Sequence, residues 1–283
     1  MSETNRIAII TDSTCDIPPE LVEENQIVVV RLYVIWGEED LVDGRDIDNE
    51  SFYARLPHDP VHPKTSQPSP ADFAQVIEET GAEEAVVITL SSKLSGTYES
   101  AVGALDLVDI PVHLFDSRST TMGLGWQALA AARARNQGAS AEAILAEAER
   151  VRERVSVLFT LDTLEYLHRG GRIGGAAKFL GTALQLKPML TVDNVTGFVD
   201  AVENTRTRKK ALQRILEVSF ERVDASRPTH VGVIQGGALE DAQYLYDEVK
   251  AQYRPVELTL SGISPIVGVH GGPGMVGICA YND

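Results

Sequence analysis

Short apolar runs rich in valine and isoleucine alternate along this chain with amphipathic segments of helical length, and that alternation narrows the fold more than any other property. Residues 7–10, 85–90, 112–115, 155–159 and 231–234 read as buried strands. Between them 70–79, 123–136 and 140–152 carry helical periodicity, the last opening on a Ser140 N-cap with Glu142 soon after. Strands joined by helices pair in parallel, so an α/β protein is predicted in which the loops at the strands' carboxyl ends share one rim. Beyond Arg152 the texture changes. Residues 180–189 lead into 190–193, a turn at 194–197, an extended run at 198–203 and a helix over about 207–223, with a terminal strand expected at 275–281. A chain of 283 residues suits two domains. The expectation is an N-terminal parallel-sheet α/β domain over 1–158 and a C-terminal α+β domain over 159–283, with a ligand between them.

Composition removes several functions. Lys and Arg number 25 against 41 Asp and Glu, a formal charge of -16 that opposes nucleic acid as a partner. The cysteines Cys15 and Cys279 stand in no CxxC pair and no zinc-spaced cluster, which fits a reducing cytoplasm. The polar opening before the four-residue apolar run 7–10 predicts no signal peptide, and no stretch has the eighteen or so apolar residues of a span. A cytoplasmic location without stable membrane insertion is therefore expected.

The chemistry-bearing residues sit in hydroxyl-dense loops. Thr65-Ser66-Gln67-Pro68-Ser69 and Ser91-Ser92-Lys93-Leu94-Ser95-Gly96-Thr97-Tyr98 flank one strand–helix unit and are expected to converge on an oxygen-rich ligand group, a carboxylate or phosphate. Ser95 and Gly96 precede an amphipathic segment, where free helix-terminal N–H groups favour an anion, although Ser91 and Ser92 suit ordinary capping. Lys64 stands beside Thr65 and can steer an anion towards it. His270 lies among Gly268, Gly271, Gly272 and Gly274, which implies close approach of backbone or ligand and favours a ligand-facing imidazole. Gly272, Gly274 and Gly277 match G-x-G-x-x-G formally, but a strand-like run follows instead of a helix, so no dinucleotide site is predicted. The basic islands 169–175 and 205–210 oppose the global charge and suit an acidic or phosphorylated partner. HExxH, Walker and kinase signatures are absent, so neither a cofactor nor autonomous phosphoryl transfer is expected.

Asp12-Ser13-Thr14-Cys15-Asp16, Lys64 through Pro68, Ser91-Ser92, Leu94 through Tyr98, Phe115-Asp116-Ser117, Gly171-Arg172-Ile173, Lys187-Pro188, Arg206-Thr207 and His270-Gly271 with Gly274 and Gly277 together resemble the DegV family, in order and across nearly the whole chain. The resemblance implies a two-domain carrier that holds one long-chain fatty acid. It also implies service as the lipid-binding subunit of a two-component fatty acid kinase feeding phospholipid synthesis. A separate ATP-dependent kinase would then phosphorylate the carboxylate to an acyl phosphate. By the same resemblance Thr65, Ser66, Ser95, Gly96, His270 and Gly271 surround the carboxylate, while Arg172 and Arg206 face the kinase. The family often has Ala-His-Thr where this chain has Val269-His270-Gly271, so a side-chain contribution at 271 is missing. The rival expectation is a serine hydrolase using Ser95, Asp116 and His270, against which stands the lack of a G-x-S-x-G elbow around Ser95.

Overall fold

A computed structural model describes residues 6–180, 186–224 and 226–283. The expectation for 180–189 therefore falls in part, at 181–185, outside the described residues, as do residues 1–5. Among the described residues three sheets form. The first has the order β2 (Ile27–Val30), β1 (Ile7–Asp12), β6 (Glu84–Thr89), β7 (Val112–Asp116), all parallel. The second is a small antiparallel sheet of β4 (Glu39–Val42), β3 (Tyr33–Trp36) and β5 (Lys64–Ser66). The third runs β10 (Val199–Thr205), β9 (Lys187–Val192), β8 (Ser156–Thr160), β13 (Met275–Asn282), β11 (Thr229–Gly236), β12 (Glu257–Gly262).

Period-two alternation explains how these sheets stack. On β1 Ile9 and on β6 Val86 and Ile88 face one core, whereas Ile10, Ala85 and Val87 face another. The second of these is closed by Phe73, Ala74 and Ile77 of α3 (Pro70–Glu79) and by Ala101 and Ala104 of α4 (Thr97–Ala104). The first is shared with α5 (Thr121–Asn136), α6 (Ala141–Arg154) and the inner face of the third sheet, where Val157, Phe159, Cys279 and Tyr281 point inward. The outer face of that sheet carries Leu158, Val276, Ile278 and Ala280 against α8 (Arg208–Glu221) and α9 (Leu239–Gln252). Helices α5 and α6 are thus packed between two sheets. This is why α5 is buried on every side from Thr121 to Ala132 and shows no amphipathic stripe.

The predicted strands and helices are present, and the 190–203 hairpin forms as β9 and β10. Strand direction differs from the expectation in two places. β8 is antiparallel to both of its neighbours, and β11 is parallel to β12 but antiparallel to β13. A continuous apolar run reports burial on both faces and carries no information on direction. A division of the chain at 158/159 passes through β8, all of whose ladder partners lie in the third sheet; a cut before Ser156 leaves both large sheets whole. The remaining helices α1 (Pro19–Glu24), α2 (Asn49–Arg55), α7 (Glu165–Arg169) and α10 (Pro265–Gly271) are short. α2 and α10 cover the small sheet, where Leu32, Val34, Trp36, Phe52, Ile266 and Val269 form a separate core.

Candidate functional site

A cavity lies where the two large sheets, the small sheet and the helix between them meet. Leu32, Leu90, Leu94, Val157, Phe159, Leu167, Val192, Val199, Ile266, Val267 and Met275 make its apolar wall. Its polar lining divides by burial. Thr65, Ser95, Arg172 and His270 are part-exposed, whereas Thr14, Thr120 and Thr121 are buried. The cavity therefore has one polar end near solvent and an apolar interior with a few hydroxyls.

The polar end is built from three distant segments. Thr65 is held on β5 by its pairing with Val34. Just beyond it, Ser69 and Asp72 form a capping box that starts α3 behind Pro68 and Pro70. Gly96 sits at the N-cap of α4, and a Cβ there would come within 2.6 Å of Gln67 Nε2, so the two loops approach closely at this position. His270 is in the last turn of α10, not in a loop, and its Nε2 lies 3.0 Å from Thr65 Oγ1. Its Nδ1 has no partner among the described residues and packs towards Gly170, where a side chain would collide with the ring. Burial, then the neighbouring Arg172 guanidinium and His62, push the imidazole down to about 4, so it is neutral at neutral pH. Arg172 donates from Nε to the Leu94 carbonyl at 3.0 Å and from Nη1 to the Gly170 carbonyl at 2.6 Å, which fixes a positive charge on the cavity wall. Ser95 Oγ lies 2.9 Å from Thr97 Oγ1. Together these groups offer hydroxyl and guanidinium donors around a neutral imidazole, a set suited to a carboxylate.

The other anticipated residues divide between the cavity wall and the surface. Gly271 lines the cavity, and a Cβ on it would come within 2.6 Å of Met275 Sδ. Ser66 is exposed, and its hydroxyl donates only weakly to the Gln67 carbonyl at 3.4 Å. Arg206 is exposed at the turn between β10 and α8. Two rim hydroxyls are taken up by other acceptors: Ser91 Oγ donates to the Gly197 carbonyl at 2.8 Å, and Ser92 Oγ to Asp116 Oδ2 at 2.6 Å. Asp116 also accepts from Arg118 N, while His270 is paired with Thr65 and Ser95 with Thr97. A Ser95–His270–Asp116 relay is therefore not assembled, and the hydrolase geometry is missing.

Sequence reasoning did not single out Arg172 as a cavity residue, nor Thr120 and Thr121. Their signal was weak, since one belongs to a glycine-flanked basic run and the others to a serine- and threonine-rich turn. The Asp12–Asp16 loop acts as a positioning element. Asp12 accepts from Leu90 N at 2.6 Å and from Thr14 Oγ1 at 2.6 Å, orienting two cavity residues. Asp16, in a left-handed conformation at φ 49°, accepts from Ser264 N at 2.9 Å and so tethers the start of α10.

A family model described as "Uncharacterised protein, DegV family" matches residues 6–283. Protein DegV of Bacillus subtilis is 38% identical over 277 residues, covering 96% of this chain and 98% of that protein. The structure resembles that of a DegV family protein from Thermus thermophilus, described as fatty acid binding, with a TM-score of 0.91, 35% identity and coverage of 98% and 100%. It also resembles a stearic acid-binding protein from Eubacterium ventriosum, with a TM-score of 0.88, 28% identity and coverage of 98% of each chain.

Proposed function

This chain belongs to the DegV family, and from that premise we propose that its cavity holds one long-chain fatty acid and presents the carboxylate to a separate ATP-dependent kinase. The observation that carries the reading is the polarity gradient of the cavity, with part-exposed Thr65, Ser95, Arg172 and His270 at one end and a buried wall of Leu90, Val157, Phe159 and Val192 at the other. An amphiphile with one anionic end matches that gradient.

Energy divides along the same axis. At about 0.8 kcal/mol per buried methylene, a chain of some fifteen methylenes contributes on the order of 12 kcal/mol. That term exceeds the desolvation of a hydrogen-bonded head group, so the tail supplies affinity and the polar end supplies orientation. Thr65 stands in hydrogen-bond contact with His270 and can spend its own proton on a carboxylate oxygen when Nε2–H donates to its hydroxyl. Arg172 places a cation beside the same oxygens, and with exposed Arg206 offers positive charge to a docking kinase whose product is an acyl phosphate.

Native mass spectrometry of protein purified from bacteria tests the first half of this reading, with a co-purifying mass of one long-chain fatty acid as the expected result. Protein that carries no lipid and takes up no octadecanoic acid after incubation overturns it. The second half is tested by trapping acyl phosphate as a hydroxamate. Product should form only when this protein, fatty acid, ATP and a bacterial fatty acid kinase are all present, and product formed by the kinase without this protein contradicts the presenting role.

A further inference from the structure

From a buried hydroxyl on a residue of the cavity wall that the fatty-acid reading leaves without work, we infer that the buried end of the cavity contains a second polar subsite, formed by Thr120 at the N-terminus of α5, for an oxygen atom carried on the acyl chain itself. The inference rests on that reading and extends it from fatty acids in general to hydroxylated ones. α5 has 16 residues, and in its first turn Gly123 N turns back to the Thr120 carbonyl at 3.1 Å, while the amides before it have no carbonyl four residues earlier to serve them. Thr120 occupies the N-cap with extended backbone, φ -153° and ψ -179°, yet its side chain makes no capping bond. A threonine at an N-cap ordinarily turns its oxygen onto those amides. Here Oγ1 is buried without a partner among the described residues, in a residue 7% exposed that lines the cavity.

The surroundings say what such a hydroxyl could receive. Thr121, also on the cavity wall, is a β-branched residue at φ 51°, and its Oγ1 has only a cysteine sulfur, Cys279 Sγ, at 3.6 Å. Thr14 donates its hydroxyl to Asp12, which leaves its oxygen lone pairs available towards the cavity. No acidic side chain stands in the first turn of α5. A neutral oxygen fits this subsite: it can accept from Thr120 and from the helix end, and a hydroxyl can also donate to Thr14 or Thr121. A second carboxylate does not fit, because the neighbouring wall is apolar and brings no cation to offset its desolvation. The ligand class is therefore a long-chain hydroxy acid, with the head group at Thr65 and His270 and the chain hydroxyl at Thr120.

The test is competition, read by native mass spectrometry on delipidated protein, between octadecanoic acid and hydroxyoctadecanoic acids bearing the hydroxyl at successive carbons. At least one regioisomer should displace octadecanoic acid with a preference of about three- to tenfold, the range of one neutral hydrogen bond. Thr120→Val should abolish that preference and bind octadecanoic acid more tightly, since it removes a buried unsatisfied hydroxyl. Thr120→Ser should keep the preference, and it serves as the readout if the valine variant does not fold. Octadecanoic acid binding as tightly as every regioisomer, or a preference that survives Thr120→Val, overturns the subsite while leaving the fatty-acid reading intact. Failure of octadecanoic acid itself to bind overturns that reading and the subsite with it.

Discussion

At the scale of single residues, the site depends on side chains whose partners are far away in sequence. The contact between Thr65 Oγ1 and His270 Nε2 spans 205 positions. Because burial and Arg172 hold the imidazole near 4, protonation of His270 does not contribute between pH 6 and 8. If the proposed carboxylate site is right, removing either hydroxyl, by Thr65→Val or Ser95→Ala, costs one hydrogen bond to a charged group, roughly 1.5 to 3 kcal/mol. That is small beside the tail term. Either variant should still be purified with lipid, while acyl phosphate production in the presence of the kinase falls at least tenfold. A variant of normal thermal stability that retains no lipid refutes this division between tail and head group.

At the scale of elements, α10 decides where His270 stands, and its start is not capped by its own Ser264 side chain. The tethering oxygen comes from Asp16, 248 positions earlier, which accepts from Ser264 N. Loss of this tether in Asp16→Ala should cost about 0.5 to 2 kcal/mol, as for an N-cap. It should weaken fatty-acid binding by displacing His270 from Thr65. Asp16→Asn keeps an acceptor oxygen and a residue type that tolerates φ 49°. It should restore both binding and amide protection of α10 in hydrogen exchange. Equal protection of α10 in wild type and Asp16→Ala shows that the tether is dispensable.

At the scale of the whole molecule, buried acids couple stability to pH. Burial raises Asp12 to about 6 and Asp43 to about 7. A carboxyl whose folded value is raised binds its proton more tightly in the folded state than in the unfolded chain. Its contribution is full below about pH 4 and is lost as pH rises through about 6 to 7. Glu257 acts in the opposite sense: although burial opposes it, hydrogen bonds from His230 and Arg133 pull its carboxyl down to about 2, and its contribution is lost only as pH falls below about 4. The melting temperature is therefore expected to peak near pH 4 to 5 and to decline towards pH 7. Asp43→Asn, which cannot ionise, should flatten that decline and raise stability at pH 7 by roughly 1 to 3 kcal/mol. Thermal melts from pH 4 to 8 decide this. An undiminished slope in Asp43→Asn removes Asp43 as its source.

The sequence by itself determined the elements and the class. Alternating apolar runs mark β1, β6 and β13, a Pro70 start with Ser69 before it marks α3, and a turn at 194–197 marks the β9–β10 hairpin, because these signals are local and arise within a few residues of chain. The family motifs likewise group Thr65, Ser95 and His270, and these three residues line one cavity. Tertiary structure alone decided the direction of β8 and β11, the small sheet that carries Thr65, and the partners of each hydroxyl. Ser91, Ser92 and Asp116 look as available in sequence as Ser95 does, yet they close on Gly197 and on one another. Thr120 looks like an ordinary helix cap, yet its oxygen is left unpartnered in the cavity wall. Residue type fixes what a polar group is able to bond, but which bond forms depends on neighbours that only the folded chain brings within reach.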